Sequence, residues 1–129
     1  MSIQLNHTIV FARDKRASAE FLAGLLGLEV GEEWGPFLPV TTSNGVTLDF
    51  ASLPESDPIA PQHYAFLVSE DEFDATFGRI KEAGITYYAD PHRKHPGQIN
   101  HNDGGRGLYW MDPVGHGMEI ITRPYGSGS

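Results

Sequence analysis

The chain has 129 residues, enough for one domain with a buried core, and carries 9 Lys and Arg against 17 Asp and Glu, for a formal net charge of −8. This acidic balance argues against a nucleic-acid-binding protein and against a protein that binds anionic membranes. Because cysteine is absent, a disulfide framework and a thiolate metal site are excluded, and any metal ligands must be His, Asp or Glu. A small molecule is the expected partner.

The chain is predicted to form a single domain of residues 1–125 in two modules, about 1–52 and 63–125. Three prolines interrupt the predicted linker, residues 53–62. No segment approaches the roughly 18 apolar residues of a membrane span, and the amino terminus lacks the features of a signal peptide. We therefore expect a cytoplasmic protein. The Gly-Ser-Gly-Ser sequence at 126–129 predicts a flexible tail.

The first module is predicted to have the order βαβββ. An apolar run at 3–11 predicts a strand, with His7 on the same face as Ile9 and Phe11. Asp14 is the expected N-cap of a helix that ends at Gly27. Three short strands are expected to follow, near residues 29–34, 37–42 and 46–51.

The second module repeats that order. Ser69 and Glu72 form an S-x-x-E capping box at the start of a helix, and Gly84 is its expected stop. A polar, irregular loop at 90–105 separates the strands. The expected strands are residues 63–68, 85–89, 107–111 and 117–123.

Each module opens on a strand with a histidine and closes on a strand with a carboxylate, His7 with Asp49 and His63 with Glu119. A lone histidine in an apolar strand is more typical of a hydrogen-bonded core residue than of a ligand. Glu119, however, lies in a strand expected to be buried, where a charge without a partner is costly. Its structural alternative is an ion pair with an arginine, Arg106 or Arg123. Together with the repeat, the pattern predicts that His7, His63 and Glu119 bind one metal.

Two imidazoles and one carboxylate suit divalent Fe, Mn, Ni, Co or Zn and leave coordination positions open for water and substrate. Asp49 is an open fourth member, since it matches Glu119 in the repeat but is one methylene shorter. As a ligand it would favour a redox-inert metal that acts as a Lewis acid. As a bystander it leaves a three-ligand site with room for dioxygen.

The polar loop and the start of the next strand concentrate positive charge in an acidic protein. They predict an anion-binding segment with Arg93, Lys94 and Arg106, and with His101 as the leading candidate for proton transfer; a solvated loop explains the same residues equally well. Tyr109 is a candidate proton or hydrogen-bond donor near the metal, or a packing residue. Phe37 and Trp110 would line an apolar cavity or pack in the core. His116, in an apparent turn, predicts a structural role.

The segment from Asp112 to Glu119 resembles the D-P-x-G-x-x-x-E ending of the vicinal oxygen chelate superfamily. This superfamily holds glyoxalase I, extradiol dioxygenases, fosfomycin-resistance enzymes and bleomycin-resistance proteins. Its first-strand and mid-chain histidines fall at His7 and His63. The resemblance implies an α+β fold in which two paired βαβββ modules form a cupped mixed sheet around a metal-binding cavity, with helices on the outer face.

The resemblance also implies a metal that chelates two adjacent substrate oxygens, with His7, His63 and Glu119 as ligands and Asp49 near a fourth, a glutamate in glyoxalase I. The expected activity is that of a glyoxalase-like lyase or isomerase, or of an extradiol-type dioxygenase. The alternative is a drug- or metabolite-sequestering protein of the bleomycin-resistance type, although the presence of all three ligands argues for catalysis. A homodimer is expected from the resemblance.

Overall fold

The computed structural model describes residues 2–128, and the chain forms two compact units, Met1–Ala60 and Pro61–Ser129. Each unit contains one α-helix and one three-stranded mixed sheet. The predicted α+β class, with two paired βαβββ modules, is confirmed. Within residues 2–128, neither helix has the length and apolar character needed to span a bilayer.

The first unit contains β1 (His7–Ala12), α1 (Lys15–Leu26), β2 (Phe37–Thr41) and β3 (Thr47–Ser52). Its sheet has the order β1-β3-β2, in which β1 runs parallel to β3 and β2 runs antiparallel to it. The helix α1 contacts all three strands. The core of this unit contains Val10, Leu22 and Phe50, each at most 1% exposed.

The second unit contains β4 (His63–Leu67), α2 (Glu70–Glu82), a short 3₁₀-helix (Asn102–Gly104), β5 (Gly107–Met111) and β6 (Gly117–Ile121). It repeats the topology of the first unit, with the sheet order β4-β6-β5, β4 parallel to β6 and β5 antiparallel to it. Phe73, Ile80, Leu108 and Ile120 are fully buried in its core.

Both helices begin and end where the local sequence predicts. The Asp14 carboxylate accepts hydrogen bonds from two backbone N–H groups of the first turn of α1, and Gly27 takes the left-handed conformation that closes the helix. Ser69 and Glu72 form the complete capping box of α2. Gly84, with φ of 70°, follows its last turn. These four predictions are confirmed.

The predicted strands at 29–34 and 85–89 are reduced to isolated bridges. Val30 pairs with Val40 beside β2, and Tyr88 pairs with Tyr109 beside β5, so each segment lies where a fourth strand would extend its sheet. The first segment contains Gly31 and three glutamates, which have low strand propensity, and only isolated backbone pairs form there. Glycine and proline residues after the second segment, 85–89, likewise interrupt a regular strand.

The strand β1 begins at His7 instead of Ile3, because its partner β3 begins opposite His7, at Thr47. His7, Ile9 and Phe11 share one face, as alternation predicts, but the core is on the other face. Ile9 and Phe11 are 42% and 41% exposed, whereas Val10 between them is fully buried. The histidine therefore lies on an open, partly apolar sheet face.

Candidate metal centre

The internal repeat is preserved in the strand register. In the first unit, Asp49 pairs with Ile9, the residue two positions after His7. In the second unit, Glu119 pairs with Ala65, two positions after His63. Paired residues of adjacent strands project from the same face of a sheet. Each carboxylate therefore lies on the same sheet face as its module's histidine.

In the second unit, the histidine and the carboxylate are in contact. The Nε2 atom of His63 lies 2.9 Å from Oε1 of Glu119. Glu119 is fully buried, whereas the side chain of His63 is 51% exposed. One member of the pair is therefore in the protein interior and the other is at the surface. The alternative considered for Glu119, an ion pair with Arg106 or Arg123, does not form: the carboxylate contacts His63 and a tyrosine.

The tautomer of His63 follows from its second contact. Its Nδ1 atom lies 3.1 Å from the carbonyl oxygen of Gly117, and a carbonyl oxygen only accepts hydrogen bonds. The Nδ1 atom must therefore carry a hydrogen. A neutral imidazole in this state presents the lone pair of Nε2 to Glu119, which is the arrangement typical of a metal-binding histidine oriented by a backbone carbonyl.

A lone pair and a carboxylate oxygen that face each other at 2.9 Å need a proton or a cation between them. Two donor atoms bound side by side to one cation at about 2.1 Å are separated by about 3 Å, so the observed spacing fits a shared divalent metal. Within residues 2–128, no three His, Asp or Glu side chains are grouped as a metal site. His63 and Glu119 form the two-ligand part that the structure brings together.

Two tyrosines continue the network on the far side of the carboxylate. The hydroxyl of Tyr125 donates to Oε2 of Glu119, and the hydroxyls of Tyr109 and Tyr125 lie 2.8 Å apart. Because the single hydrogen of Tyr125 is used towards Glu119, Tyr109 donates to Tyr125. Burial, the hydrogen bond to Tyr125 and the adjacent Glu119 raise the pKa of Tyr109, and burial followed by the hydrogen bond to Glu119 raises the pKa of Tyr125. Both phenols therefore stay protonated donors at neutral pH.

Tyr125 is the site residue that the sequence analysis missed. It follows Pro124, beyond the last strand, and no periodicity connects it to Glu119. The residues expected to be a flexible tail bring it back: Oδ1 of Asp103 accepts from the backbone N–H groups of Gly126 and Gly128, at 3.1 and 3.2 Å. The last residue of the predicted tail, 129, lies outside the described part of the chain.

In the first unit, the equivalent pair is arranged differently. His7 is exposed, and its Nδ1 atom lies 2.8 Å from the side-chain amide of Asn6. Asp49 is only 3% exposed, and its Oδ1 atom has no hydrogen-bond partner among the described residues. An unpaired buried carboxylate oxygen is costly, so Asp49 is the least satisfied of the four predicted ligands.

The candidate substrate residues divide into two sets. Arg93 lies in a cleft beside His63, and its guanidinium contacts the sulfur of Met111 at 3.2 Å. Arg106 instead binds Glu70 and Asp74 of α2, each at 2.8 Å. The cleft is lined by His63, Tyr88, Pro91, Arg93, Tyr109, Trp110, Met111 and Gly117.

The remaining candidates have other surroundings. Trp110 is only 1% exposed, so it belongs mainly to the core beneath the cleft. Phe37 lies in the first unit, with its ring 4.9 Å from that of Trp34. His101 is exposed at the start of the short 3₁₀-helix, and Lys94 is exposed with its backbone N–H bound to Asp90.

His116 has a structural role, as its turn position predicts. It is 1% exposed, and its Nδ1 atom accepts a hydrogen bond of 2.9 Å from the backbone N–H of Gln62. Its ring packs edge-on against Tyr64, at 5.9 Å between ring centroids. These contacts support the turn before β6 and so the position of Glu119.

The fold and the His-carboxylate register define an α+β protein of the vicinal oxygen chelate kind. A model of the Glyoxalase/Bleomycin resistance protein/Dioxygenase superfamily matches residues 4–120, and the chain belongs to this superfamily. The match supports the resemblance that the sequence motif carried, and it covers both units.

Two solved structures are similar to the whole chain. One, described as "Oxidase ChaP-H2", is 64% identical, with full coverage of both chains and a TM-score of 0.96. Another, "Oxidase ChaP-H1", is 57% identical, covers 97% of this chain and 99% of its own, and has a TM-score of 0.92. A curated protein of Serratia marcescens, "Glutathione transferase FosA", is 29% identical over 123 residues, 90% of this chain and 78% of that protein. These relatives support an enzyme of the glyoxalase or dioxygenase type.

Proposed function

We propose that this protein is a metal-dependent oxidase that holds a divalent, redox-active metal through His63, Glu119 and His7. The observation that carries the proposal is the His63–Glu119 pair, in which Nε2 of His63 and Oε1 of Glu119 lie 2.9 Å apart while Nδ1 of His63 faces the carbonyl oxygen of Gly117. Two similar proteins described as oxidases favour redox chemistry over Lewis-acid chemistry. Among the metals that suit two imidazoles and one carboxylate, iron and manganese fit this chemistry.

When bound, the metal would bring together two neighbouring oxygens of the substrate and dioxygen or an equivalent oxidant. The protein's own residues then bind and orient the substrate. The cleft beside His63 offers the rings of Tyr88 and Tyr109 and the cation of Arg93. This combination suits a planar, oxygenated substrate with partial negative charge. Tyr109 lies on the same sheet face as Glu119, so a ring bound in the cleft would lie next to the carboxylate.

We propose that the third ligand, His7, comes from a second copy of the chain. His7 is exposed, and on its sheet face Ile9 and Phe11 are 42% and 41% exposed. On the sheet that bears His63, Leu67 and Met111 are 61% and 36% exposed. Exposed apolar side chains on a sheet face are typical of surfaces that a homodimer covers.

The second candidate function is a glyoxalase-like lyase or isomerase, and one observation favours it. The unpaired, buried Oδ1 of Asp49 resembles a ligand atom without its metal, and a fourth ligand would favour a redox-inert ion. The third possibility, a sequestering protein of the bleomycin-resistance type, would bind its ligand after metal removal and after His63→Ala.

Metal analysis tests the proposal. The purified protein is stripped with a chelator, reloaded anaerobically with Fe(II) or with Zn(II), and assayed for metal content and for oxygen consumption with catechol-type probes. We expect oxygen uptake with Fe(II) only, and loss of bound metal in His63→Ala. The matched control is His92→Ala, which removes an exposed loop imidazole. Retention of iron by His63→Ala would overturn the proposed site, and zinc-supported isomerase activity without oxygen uptake would favour the second candidate.

A further inference from the structure

We propose that Tyr125 is a positioning residue that limits Glu119 to one free oxygen for the metal, and that the C-terminal segment 124–128 holds it there. This inference rests on the proposed metal site. It adds to the site a segment that lies outside the helices and strands, residues 124–128, which we call the strap. The strap contacts the Glu119 carboxylate at the oxygen that His63 does not contact.

The geometry of the carboxylate carries the first step. Glu119 is fully buried, and its two oxygens have different partners: Oε1 faces His63, and Oε2 accepts the hydrogen bond from Tyr125. A metal that replaces the proton between His63 and Glu119 meets Oε1. While Tyr125 donates to Oε2, that second oxygen is occupied, so the carboxylate binds through one oxygen and an additional coordination position stays open for substrate.

The position of Tyr125 depends on tertiary contacts. Its ring is carried on a segment without regular structure, and Asp103 anchors that segment through the N–H groups of Gly126 and Gly128. The side chain of Arg123 also donates to the carbonyl of Ser127, at 3.1 Å. Asp103 itself has φ of 58°, a left-handed conformation that is uncommon for a residue other than glycine. Asp103, which anchors the segment, thus combines an uncommon backbone conformation with hydrogen bonds to two backbone N–H groups of residues 124–128.

Tyr109 adds a second restraint. Its hydroxyl, 2.8 Å from that of Tyr125, supplies the hydrogen bond that leaves the hydrogen of Tyr125 directed at Glu119. Tyr125 therefore accepts from one phenol and donates to the carboxylate, which fixes the orientation of its hydroxyl. Tyr125→Phe would keep the ring and remove both hydrogen bonds of the hydroxyl, to Glu119 and to Tyr109.

The test compares Tyr125→Phe with wild type in two measurements on the full chain: the dissociation constant for Co(II), and the visible spectrum of the Co(II)-loaded protein. Outer hydrogen bonds to metal ligands typically change metal affinity by roughly ten- to a hundredfold when removed, so we expect a loss of that size. We also expect weaker visible absorption, because a carboxylate freed to bind through both oxygens raises the coordination number. The matched control, Tyr87→Phe, alters a tyrosine that packs against Phe77.

A second variant tests the strap. Asp103→Ala keeps Tyr125 but removes the anchor of Gly126 and Gly128, and we expect it to shift affinity and spectrum in the same direction as Tyr125→Phe, by a smaller factor. Thermal unfolding without metal checks that both variants fold; should Tyr125→Phe fail to fold, Asp103→Ala decides. Wild-type affinity and an unchanged Co(II) spectrum in Tyr125→Phe would overturn this inference alone. Failure of the wild-type protein to bind any divalent metal would overturn the proposed function itself.

Discussion

Asp49 and Glu119 occupy the same register position in their two sheets, yet only Glu119 contacts its module's histidine. Each pairs with the residue two positions after that histidine. Glu119 reaches Nε2 of His63 at 2.9 Å, whereas Oδ1 of Asp49 has no hydrogen-bond partner among the described residues. The carboxylate of aspartate is one methylene closer to the backbone, so the same register does not produce the same contact. The two modules therefore differ at the carboxylate position, because only the second module brings its carboxylate into contact with its histidine.

This divergence predicts that Asp49 is dispensable for metal binding. Asp49→Asn replaces a buried charge with an amide, and because the desolvation cost of an unpaired charged oxygen is removed, we expect the free energy of unfolding to rise by about 1 kcal/mol. Urea denaturation measures this change in the free energy of unfolding. Metal content should equal that of wild type. Loss of metal in Asp49→Asn, with Asn44→Asp as an exposed-turn control, would instead identify Asp49 as a fourth ligand.

Metal affinity is predicted to fall as pH falls. A metal held between Nε2 of His63 and Oε1 of Glu119 needs both atoms as lone-pair donors, so protons compete with it for the site. Stability conferred by metal should accordingly be greatest at mildly alkaline pH and lost on acidification. Co(II) titrations across that range measure the effect. In Glu119→Gln, binding should be weak at every pH; a pH-independent affinity in wild type would contradict the assigned pair.

Subunit complementation tests whether His7 in each metal site comes from the same chain as His63 or from its partner. If each metal site takes His7 from one chain and His63 from its partner, co-refolding of His7→Ala with His63→Ala creates one intact site in each mixed dimer. Random pairing then restores about a quarter of the sites. If all ligands come from one chain, neither variant has an intact site, and the mixture binds no metal. Metal content per chain, with each variant refolded alone as the control, measures the outcome.

Glu70 predicts a pH-dependent contribution to stability at the start of α2. Hydrogen bonds from the hydroxyl of Thr122 and then from Arg106 lower the pKa of Glu70 below its ordinary value of 4.5. Because the folded-state pKa is depressed, this stabilisation is present above pH 4.5 and is lost as pH falls through the lowered pKa. Glu70→Gln should therefore be less stable than wild type at neutral pH.

The difference should shrink on acidification below the pKa of the unfolded carboxyl. Urea unfolding at neutral and acidic pH compares the two proteins. Asp71→Asn is the matched control, because it changes charge in the same helical turn without the Arg106 contact. An equal stability loss for both variants would assign the effect to the helix dipole and not to Arg106 and Thr122.

Helix boundaries were predictable because they depend on neighbouring residues. The Asp14 cap, the Gly27 stop and the Ser69–Glu72 box satisfy backbone groups within a few positions, so the order of residues is sufficient. The edge segments were overpredicted as strands. An apolar residue such as Val30 has the propensity, but a ladder also needs a paired neighbour at every other position, and there the flanking residues form only isolated bridges.

By itself, the sequence determined the duplicated His-carboxylate pattern, the α+β class, the superfamily motif and the side of each strand on which the predicted ligands lie, because alternation and capping are local properties. Only the tertiary structure decided which groups meet. It brought Tyr125 to Glu119 through the Asp103 anchor, and it paired Arg106 with α2 instead of with Glu119. It also left Oδ1 of Asp49 without a hydrogen-bond partner among the described residues. These contacts join residues distant along the chain, and their distances depend on side-chain length and loop path, which no periodicity records.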